Sequence, residues 1–255
     1  MLKACKLCLL FLLITPLIYA QSTADYKKKI FIHKCDSLPY RILYPVAYNE
    51  KKKYPVLVFL HGAGERGIDN EKQLVHGSKL FLRDSIRKKF PAIIIFPQCP
   101  ENSYWSNMII EKEERLFFID RPPTKAMNLL MHFIKDFKTK GSIQKKQLYI
   151  GGLSMGGMGV LEIAARQPSW FNAAFAICGG GDTTAATKMI QTRWWLFHGE
   201  KDNVVLPEYS RQMAEALRDA GAAVRLSIYP DANHNSWDKA FAEKELLPWL
   251  FSHKL

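Results

Sequence analysis

The sequence predicts an α/β domain in which helices cover both faces of a mostly parallel sheet. Segments with helical periodicity, at 124–138, 155–166 and 207–220, alternate with short apolar runs rich in β-branched and aromatic residues. Such runs are typical of strands buried on both faces, and their alternation with helices indicates a parallel sheet. With 255 residues, 48% of them hydrophobic, the chain favours one domain with one sizeable core. The six runs are "YPVLVFL" (54–60), "AIIIFP" (92–97), "QLYIGG" (147–152), "AAFAICGG" (173–180), "WWLFHG" (194–199) and "VRLSIYP" (224–230).

The first twenty residues predict a cleaved signal peptide. Lys3 and Lys6 precede the apolar stretch "LCLLFLLITPLIYA", which ends at the small residue Ala20. A membrane anchor is the less favoured alternative, because a spanning helix needs about 20 apolar residues. We therefore expect export and a single mature domain at 21–255, with no stable anchor after cleavage. The signal does not distinguish periplasm from full secretion.

The mature chain begins with two segments, "KIFIHKC" and "PYRILYP", that predict an antiparallel hairpin ahead of the parallel strands. The formal net charge of +12 and the lysine runs at 27–29 and 51–53 raise the question of an anionic partner. Neither run is interleaved with aromatic residues that could stack on bases, and an exported chain has little access to nucleic acid. No nucleic-acid partner is predicted, and the sequence does not indicate an oligomeric state.

Three cysteines remain after the predicted signal: Cys35, Cys99 and Cys178. In an oxidising compartment they allow one disulfide and one free thiol, and the sequence alone does not pair them. No Cys/His spacing indicates zinc, and no nucleotide or flavin motif is present. We expect no cofactor.

The stretch from Gly152 to Gly156 has the pattern G-x-S-x-G, with Ser154 between an apolar run and a helical segment. At such a corner a serine adopts a strained backbone conformation that exposes its hydroxyl, and small neighbours avoid clashes. Gly157 and Gly159 let the helix lie close to the sheet. Ser154 is the predicted nucleophile.

A serine nucleophile needs a histidine base and a carboxylate to orient it, and in the hydrolase chain order the acid follows the serine and the histidine comes last. Asp202 follows the run "WWLFHG" on a loop and is favoured as the acid over Glu200 and Asp231. His234 follows the last apolar run and is favoured as the base over His253 in the terminal segment. His198, which precedes the acid, is expected to shape the turn.

Acyl transfer also needs two N–H groups aimed at the oxyanion of the tetrahedral intermediate. "FLHGAGERG" ends the first parallel run, and the amides of Ala63 and Met155 are the candidates. His61 is expected to be structural.

These motifs resemble the α/β-hydrolase superfamily, and within it the secreted esterase branch of polyhydroxybutyrate-depolymerase-like proteins, family 1 carbohydrate esterases and the predicted-peptidase group. The resemblance begins near Pro39 and runs to the C-terminus. It implies Ser154, Asp202 and His234 as a triad, with Ala63 and Met155 at the oxyanion. The branch includes feruloyl, acetylxylan and other short-chain esterases, so the substrate stays open. The matching stretches are "LPYRILYP", "VFLHGAGERG", "FPQCPENSYW", "GLSMGGMG", "AICGGGD", "FHGEKDNVV" and "HNSWD".

Several side chains near the strand ends are candidates for substrate binding. The short stretch between "AICGGGD" and "WWLFHG" leaves little room for a cap, which predicts an open site. Aromatic residues of 100–123 and the one at 237 fit phenolic or sugar rings, and polar neighbours can either contact substrate or brace the loops. The candidates are Tyr104, Trp105, Trp237, Glu65, Arg66, Gln98 and Asp182.

The leading hypothesis is an exported serine esterase acting on an ester substrate, such as feruloyl or acetyl groups linked to plant polysaccharide. A prolyl-oligopeptidase-like peptidase would use the same triad, but it usually carries a further domain that screens substrates, and the hydrolase-like region leaves no stretch of this sequence for one. A non-catalytic hydrolase fold that binds glycans is the third hypothesis, which an intact triad disfavours.

Overall fold

The computed structural model describes residues 22–111 and 114–252, and the predicted signal peptide and His253 lie outside them. The strands are β1 (Lys27–His33), β2 (Asp36–Leu43), β3 (Tyr54–Leu60), β4 (Ile93–Pro97), β5 (Met108–Glu111), β6 (Glu114–Phe117), β7 (Ile143–Leu153), β8 (Ala173–Ile177), β9 (Arg193–Gly199) and β10 (Val224–Tyr229). The α-helices are α1 (Ser78–Leu82), α2 (Asp84–Lys89), α3 (Lys125–Phe137), α4 (Met155–Arg166), α5 (Pro207–Asp219), α6 (Trp237–Ala242) and α7 (Leu246–Ser252).

Eight strands form one sheet in the order β1-β2-β4-β3-β7-β8-β9-β10. The six strands from β4 to β10 in that order run parallel, and β2 is antiparallel to both of its neighbours. The predicted α/β architecture and the leading hairpin are therefore confirmed. Because the parallel strands share one direction, the loops after β3, β4, β7, β8, β9 and β10 all meet at the same edge of the sheet.

Strand β3 shows why the sheet is buried on both faces. Val56, Val58 and Leu60 pack into one hydrophobic core, and the alternate residues Leu57 and Phe59 pack into a second core on the opposite face. Helices α3, α4 and α5 contribute to the first core, and α1 and α7 contribute to the second. Two cores with the sheet between them hold the strand ends in fixed positions.

The three long helices begin where local sequence signals place them. Thr124 accepts a hydrogen bond from the N–H of Met127 and caps α3. Pro207 is the first residue of α5, where the missing proline N–H is not needed. Helix α4 spans the predicted segment from Met155 to Arg166.

One element was not predicted. The segment 100–123 contains the hairpin of β5 and β6, which form a separate two-stranded sheet. Residues 109–111 and Glu114 are exposed, so the hairpin lacks the buried apolar runs that mark the strands of the main sheet. Between β8 and β9 the chain forms only a short 3-10 helix, Thr183–Met189.

The three described cysteines are free thiols, Cys35 exposed and Cys99 and Cys178 buried, so the disulfide that the sequence left open does not form here. Within residues 22–111 and 114–252, no helix combines the length and apolar character needed to cross a membrane.

Candidate active site

Ser154 occupies the sharp turn between β7 and α4. Its backbone angles, φ 52° and ψ −121°, lie in a region that costs a non-glycine residue energy, and its N–H donates to the Ile177 carbonyl at 2.8 Å. The turn is possible only because its neighbours are small: a Cβ on Gly152 would lie 2.5 Å from the Gly156 carbonyl oxygen, and one on Gly156 would overlap the carbonyl of Leu60. The sequence therefore holds the Ser154 side chain at the carboxyl edge of the sheet.

A hydrogen-bond chain links Ser154 to the two loops that follow β9 and β10. His234 Nε2 lies 3.0 Å from Ser154 Oγ, and His234 Nδ1 lies 2.8 Å from Asp202 Oδ2. An ionised carboxylate only accepts, so Nδ1 carries the proton and Nε2 is free to accept the serine hydroxyl proton. The structure thus brings together the three residues that the sequence selected from separate strand ends.

Asp202 is buried and remains ionised. Burial is the largest influence and acts to raise the pKa of Asp202, but hydrogen bonds from His198, His234, Val205 and Val204 together outweigh it and lower that pKa well below its usual range. Its Oδ1 accepts the N–H groups of Val204 at 2.9 Å and Val205 at 3.0 Å. These bonds fix the carboxylate and leave Oδ2 for the imidazoles.

The competing acids point elsewhere. Glu200 forms a surface ion pair with Arg211, and Asp231 binds Lys239 at 2.6 Å. Neither carboxylate is a partner of His234 in the described structure.

His198 has a closer role than the sequence indicated. It is fully buried, its Nε2 lies 3.2 Å from Asp202 Oδ2 and 2.8 Å from the Val205 carbonyl, and its Nδ1 lies 2.7 Å from Ser210 Oγ. Asp202 Oδ2 therefore faces two imidazoles. His198 positions the carboxylate as well as the turn.

The loop after β3 lies against the nucleophile. The position that a Gly62 Cβ would take is 3.7 Å from Ser154 Cβ. Ala63 begins a short 3-10 helix and Met155 begins α4, so neither N–H has a partner within its own helix. Within the described residues both amides therefore remain candidate donors to an oxyanion formed at Ser154.

His61 braces this loop. Its Nδ1 lies 2.6 Å from the Gly62 carbonyl and its Nε2 accepts the N–H of Cys99 at 2.9 Å. Burial lowers the pKa of His61 to about 4, so the ring is neutral and joins the ends of β3 and β4.

Two of the predicted substrate contacts are wrong. Trp105 is 0% exposed and packs beneath α4, where its Cβ lies 2.5 Å from the Cβ position of Gly159. Gln98 is also 0% exposed, and it holds the loop by accepting the N–H of Asn70 and donating to the Glu65 carbonyl. Both side chains are unavailable to substrate because they fill the interior between loops.

Arg66 and Asp182 also brace loops. Arg66 donates to the carbonyls of Ala63 and Glu101 and lies over the ring of Tyr104 at 4.4 Å. Asp182 accepts the N–H groups of Thr184 and Ile119 and so ties the 3-10 helix to the segment after β6.

Trp237 and Glu65 do lie at the site. The Trp237 ring meets the His234 ring edge-on at 5.5 Å, and Glu65 Oε2 is 3.0 Å from the same Gly62 Cβ position that neighbours Ser154.

Phe117 of the β5–β6 hairpin and Tyr209 of α5 form an aromatic wall that sequence reasoning missed. Phe117 meets Tyr209 edge-on at 5.9 Å, and both side chains lie against Gly180. The residue before it, Gly179, packs against Gly157 of α4. The Tyr209 hydroxyl accepts the N–H of Arg115, which fixes the hairpin. Only the run "MIIEKEERLF" signals this element, and its charged residues resemble an ordinary solvated loop.

One group of potential metal ligands overlaps the site: Cys178, Asp202 and His234 place one ligand atom each within 4.8 Å of one another. The Asp202 and His234 atoms are already hydrogen-bonded to each other, and burial raises the pKa of the Cys178 thiol, which disfavours the thiolate that a metal needs. The hydrogen bond between Asp202 and His234 therefore accounts for two of the three grouped side chains.

A parallel sheet with a strained serine between strand and helix, a histidine and a buried carboxylate defines the class: this is a serine hydrolase of the α/β-hydrolase fold. The chain belongs to the Phospholipase/Carboxylesterase family, whose model matches residues 44–245.

Individual relatives agree with this assignment. The chain is 26% identical to lysophospholipase-like protein 1 of Mus musculus over 212 residues, 77% of this chain and 85% of that protein. A thermostable esterase superposes with a TM-score of 0.82 at 32% identity, covering 91% of this chain but 64% of that longer protein. A ferulic acid esterase superposes with a TM-score of 0.67 at 20% identity, covering 89% and 97%, and this likeness concerns the fold alone.

Proposed function

We propose that this chain hydrolyses carboxylic esters through an acyl-enzyme formed on Ser154. The observation that carries the proposal is the hydrogen-bond chain from Ser154 Oγ through His234 to Asp202, at the edge of the sheet where loops from separate strands meet. Ser154 Oγ attacks the ester carbonyl while its proton passes to His234 Nε2. Bond formation at the carbonyl carbon moves an electron pair onto the carbonyl oxygen.

The amides of Ala63 and Met155 are the proposed donors to that oxyanion. Collapse of the intermediate breaks the bond to the alcohol oxygen, which takes the proton from His234 Nε2 and leaves. Water then attacks the acyl-enzyme with the same base, and the acid departs while Ser154 regains its proton. Asp202 holds the His234 tautomer throughout and stabilises the imidazolium.

Feruloyl or acetyl esters of plant polysaccharide are the proposed substrates. The aromatic wall of Phe117 and Tyr209 lies against Gly180, one residue from the contact between Gly179 and Gly157 of α4, and it supports an acyl side that accepts a phenolic ring. Only a short 3-10 helix separates β8 from β9, and this favours access for a bulky substrate. Export, proposed from the N-terminal sequence, would bring the enzyme to such polymers.

The test compares hydrolysis of p-nitrophenyl acetate, methyl ferulate and a dipeptide p-nitroanilide by the wild-type protein and by Ser154→Ala. Ser142→Ala is the matched control, because Ser142 lies just before β7 at the opposite edge of the sheet. We expect ester turnover that Ser154→Ala abolishes and Ser142→Ala retains. Faster cleavage of the anilide than of either ester would instead identify a peptidase, and turnover independent of Ser154 would refute the mechanism.

A further inference from the structure

A carboxylate without a hydrogen-bond donor lies at the mouth of the site. The Glu65 side chain is only 14% exposed, and its Oε2 lies 3.0 Å from the Gly62 Cβ position, which is itself 3.7 Å from Ser154 Cβ. Within the described residues no group donates a hydrogen bond to this carboxylate, and its one ionic neighbour is His76, with Nε2 at 3.8 Å. A largely buried carboxylate that accepts no hydrogen bond from the protein favours a hydrogen-bond donor on a bound ligand.

The rings of His76 and Trp237 connect Glu65 to the catalytic base, His234. His76 lies 5.0 Å from the Trp237 ring, and Trp237 lies 5.5 Å from the His234 ring at 84°. The His76 side chain is 32% exposed, and the adjacent Gly77 is packed against Phe241 of α6. The loop after β3 and the segment after β10 therefore form one continuous wall on the His234 side.

The chemistry of the reaction decides which part of the ester meets this wall. His234 gives its proton to the departing alcohol oxygen, so the alcohol portion must lie beside His234. We propose that Glu65, His76 and Trp237 form the alcohol subsite, and that the subsite selects alcohols bearing further hydroxyl groups, as in a sugar or glycerol. This inference rests on the proposed function.

In this subsite each of the three side chains makes a different contact with the alcohol. The Glu65 carboxylate accepts a hydrogen bond from a second hydroxyl, the His76 ring accompanies it as donor or acceptor, and the Trp237 ring packs on the apolar face of a sugar. A cationic alcohol is the less favoured ligand, because His76 already faces the carboxylate and the neighbouring Arg66 adds positive charge.

The experiment measures kcat/KM for three acetate esters that differ only in the alcohol: monoacetylated methyl xyloside, ethyl acetate and acetylcholine. Glu65→Gln keeps the shape and removes the charge, and the second variant, His76→Phe, keeps a ring against Trp237 and removes both ring nitrogens. Glu71→Gln is the matched control, since Glu71 is an exposed carboxylate of the same loop that pairs with Lys28. We expect Glu65→Gln to lower the ratio of kcat/KM for the xyloside acetate to that for ethyl acetate about tenfold, as loss of one charge-assisted hydrogen bond does. His76→Phe should shift this ratio in the same direction, and Glu71→Gln should leave it at the wild-type value.

Equal losses on all three esters, or an unchanged ratio in Glu65→Gln, would overturn the subsite, because Glu65 would then only support the loop. A loss confined to acetylcholine would overturn the polyol assignment in favour of a cation site. Failure of the proposed function has a different signature: the wild-type protein would show no turnover dependent on Ser154 with any ester.

Discussion

Replacing Asp202 by Asn tests the electrostatics of the site with little change of shape. The Oδ1 atom accepts two backbone N–H groups, at 2.9 and 3.0 Å, and an asparagine oxygen placed there keeps both bonds. The amide nitrogen then takes the Oδ2 position, 2.8 Å from His234 Nδ1. The reverse orientation is disfavoured, because it would set an NH₂ group against two donors and forfeit both bonds, about 1 kcal/mol each.

An NH₂ group donates, so His234 Nδ1 must accept and its proton moves to Nε2. In that tautomer the imidazole is unable to take the proton of Ser154. The expected loss is about 10⁴-fold in kcat, which corresponds to about 5.4 kcal/mol in activation free energy. The assay is steady-state hydrolysis of p-nitrophenyl acetate at neutral pH, with thermal unfolding to confirm that the variant is folded. A folded Asp202→Asn protein within tenfold of wild-type kcat would refute the assignment of Asp202 as the orienting acid.

Three further predictions concern the surroundings of the site. Gly156→Ala places a methyl group against the backbone of β3. We expect the free energy of unfolding, measured by urea titration, to fall by about 1–3 kcal/mol. Wild-type stability would show that the close approach of α4 to β3 is not required. His198→Leu removes one donor to Asp202, and we expect kcat to fall about tenfold with KM little changed, so that an effect on KM alone would count against a positioning role. Burial raises the pKa of Cys99 to about 12, so alkylation of the folded protein, mapped by mass spectrometry, should modify exposed Cys35 and spare Cys99. Equal labelling would contradict the buried position of Cys99.

Much of the fold was predictable because its signals are local and strong. The β3 run "YPVLVFL" has no polar residue, since both faces of the strand are buried, and its predicted bounds match the strand. The corner at Ser154 is marked by glycines whose Cβ atoms would collide with backbone. Chain order then selected Asp202 and His234, whose loops the structure brings to Ser154.

The errors share a physical origin. Gln98 follows β4 at the site edge, where a polar residue that braces a loop has the same sequence pattern as one that contacts substrate. Trp105 faces inward because the small residue Gly159 opens a space beneath α4, which depends on tertiary packing.

The contact between His198 and Asp202 was also beyond sequence reasoning. The two lie four positions apart on a turn, and only the path of the chain after β9 brings Nε2 to 3.2 Å from the carboxylate. The β5–β6 hairpin was missed because its exposed, charged residues carry no pattern of burial.

The most direct test of a nucleophilic serine is covalent capture. The wild-type protein is incubated with a fluorophosphonate, digested, and the modified residue is located by mass spectrometry, with His234→Ala as the variant that lacks the base. The structure predicts one modified serine, Ser154, and labelling that is strongly slowed in His234→Ala because Nε2 lies 3.0 Å from the hydroxyl. Modification at another residue, or no modification of the folded protein, would contradict the assignment of Ser154 as the nucleophile.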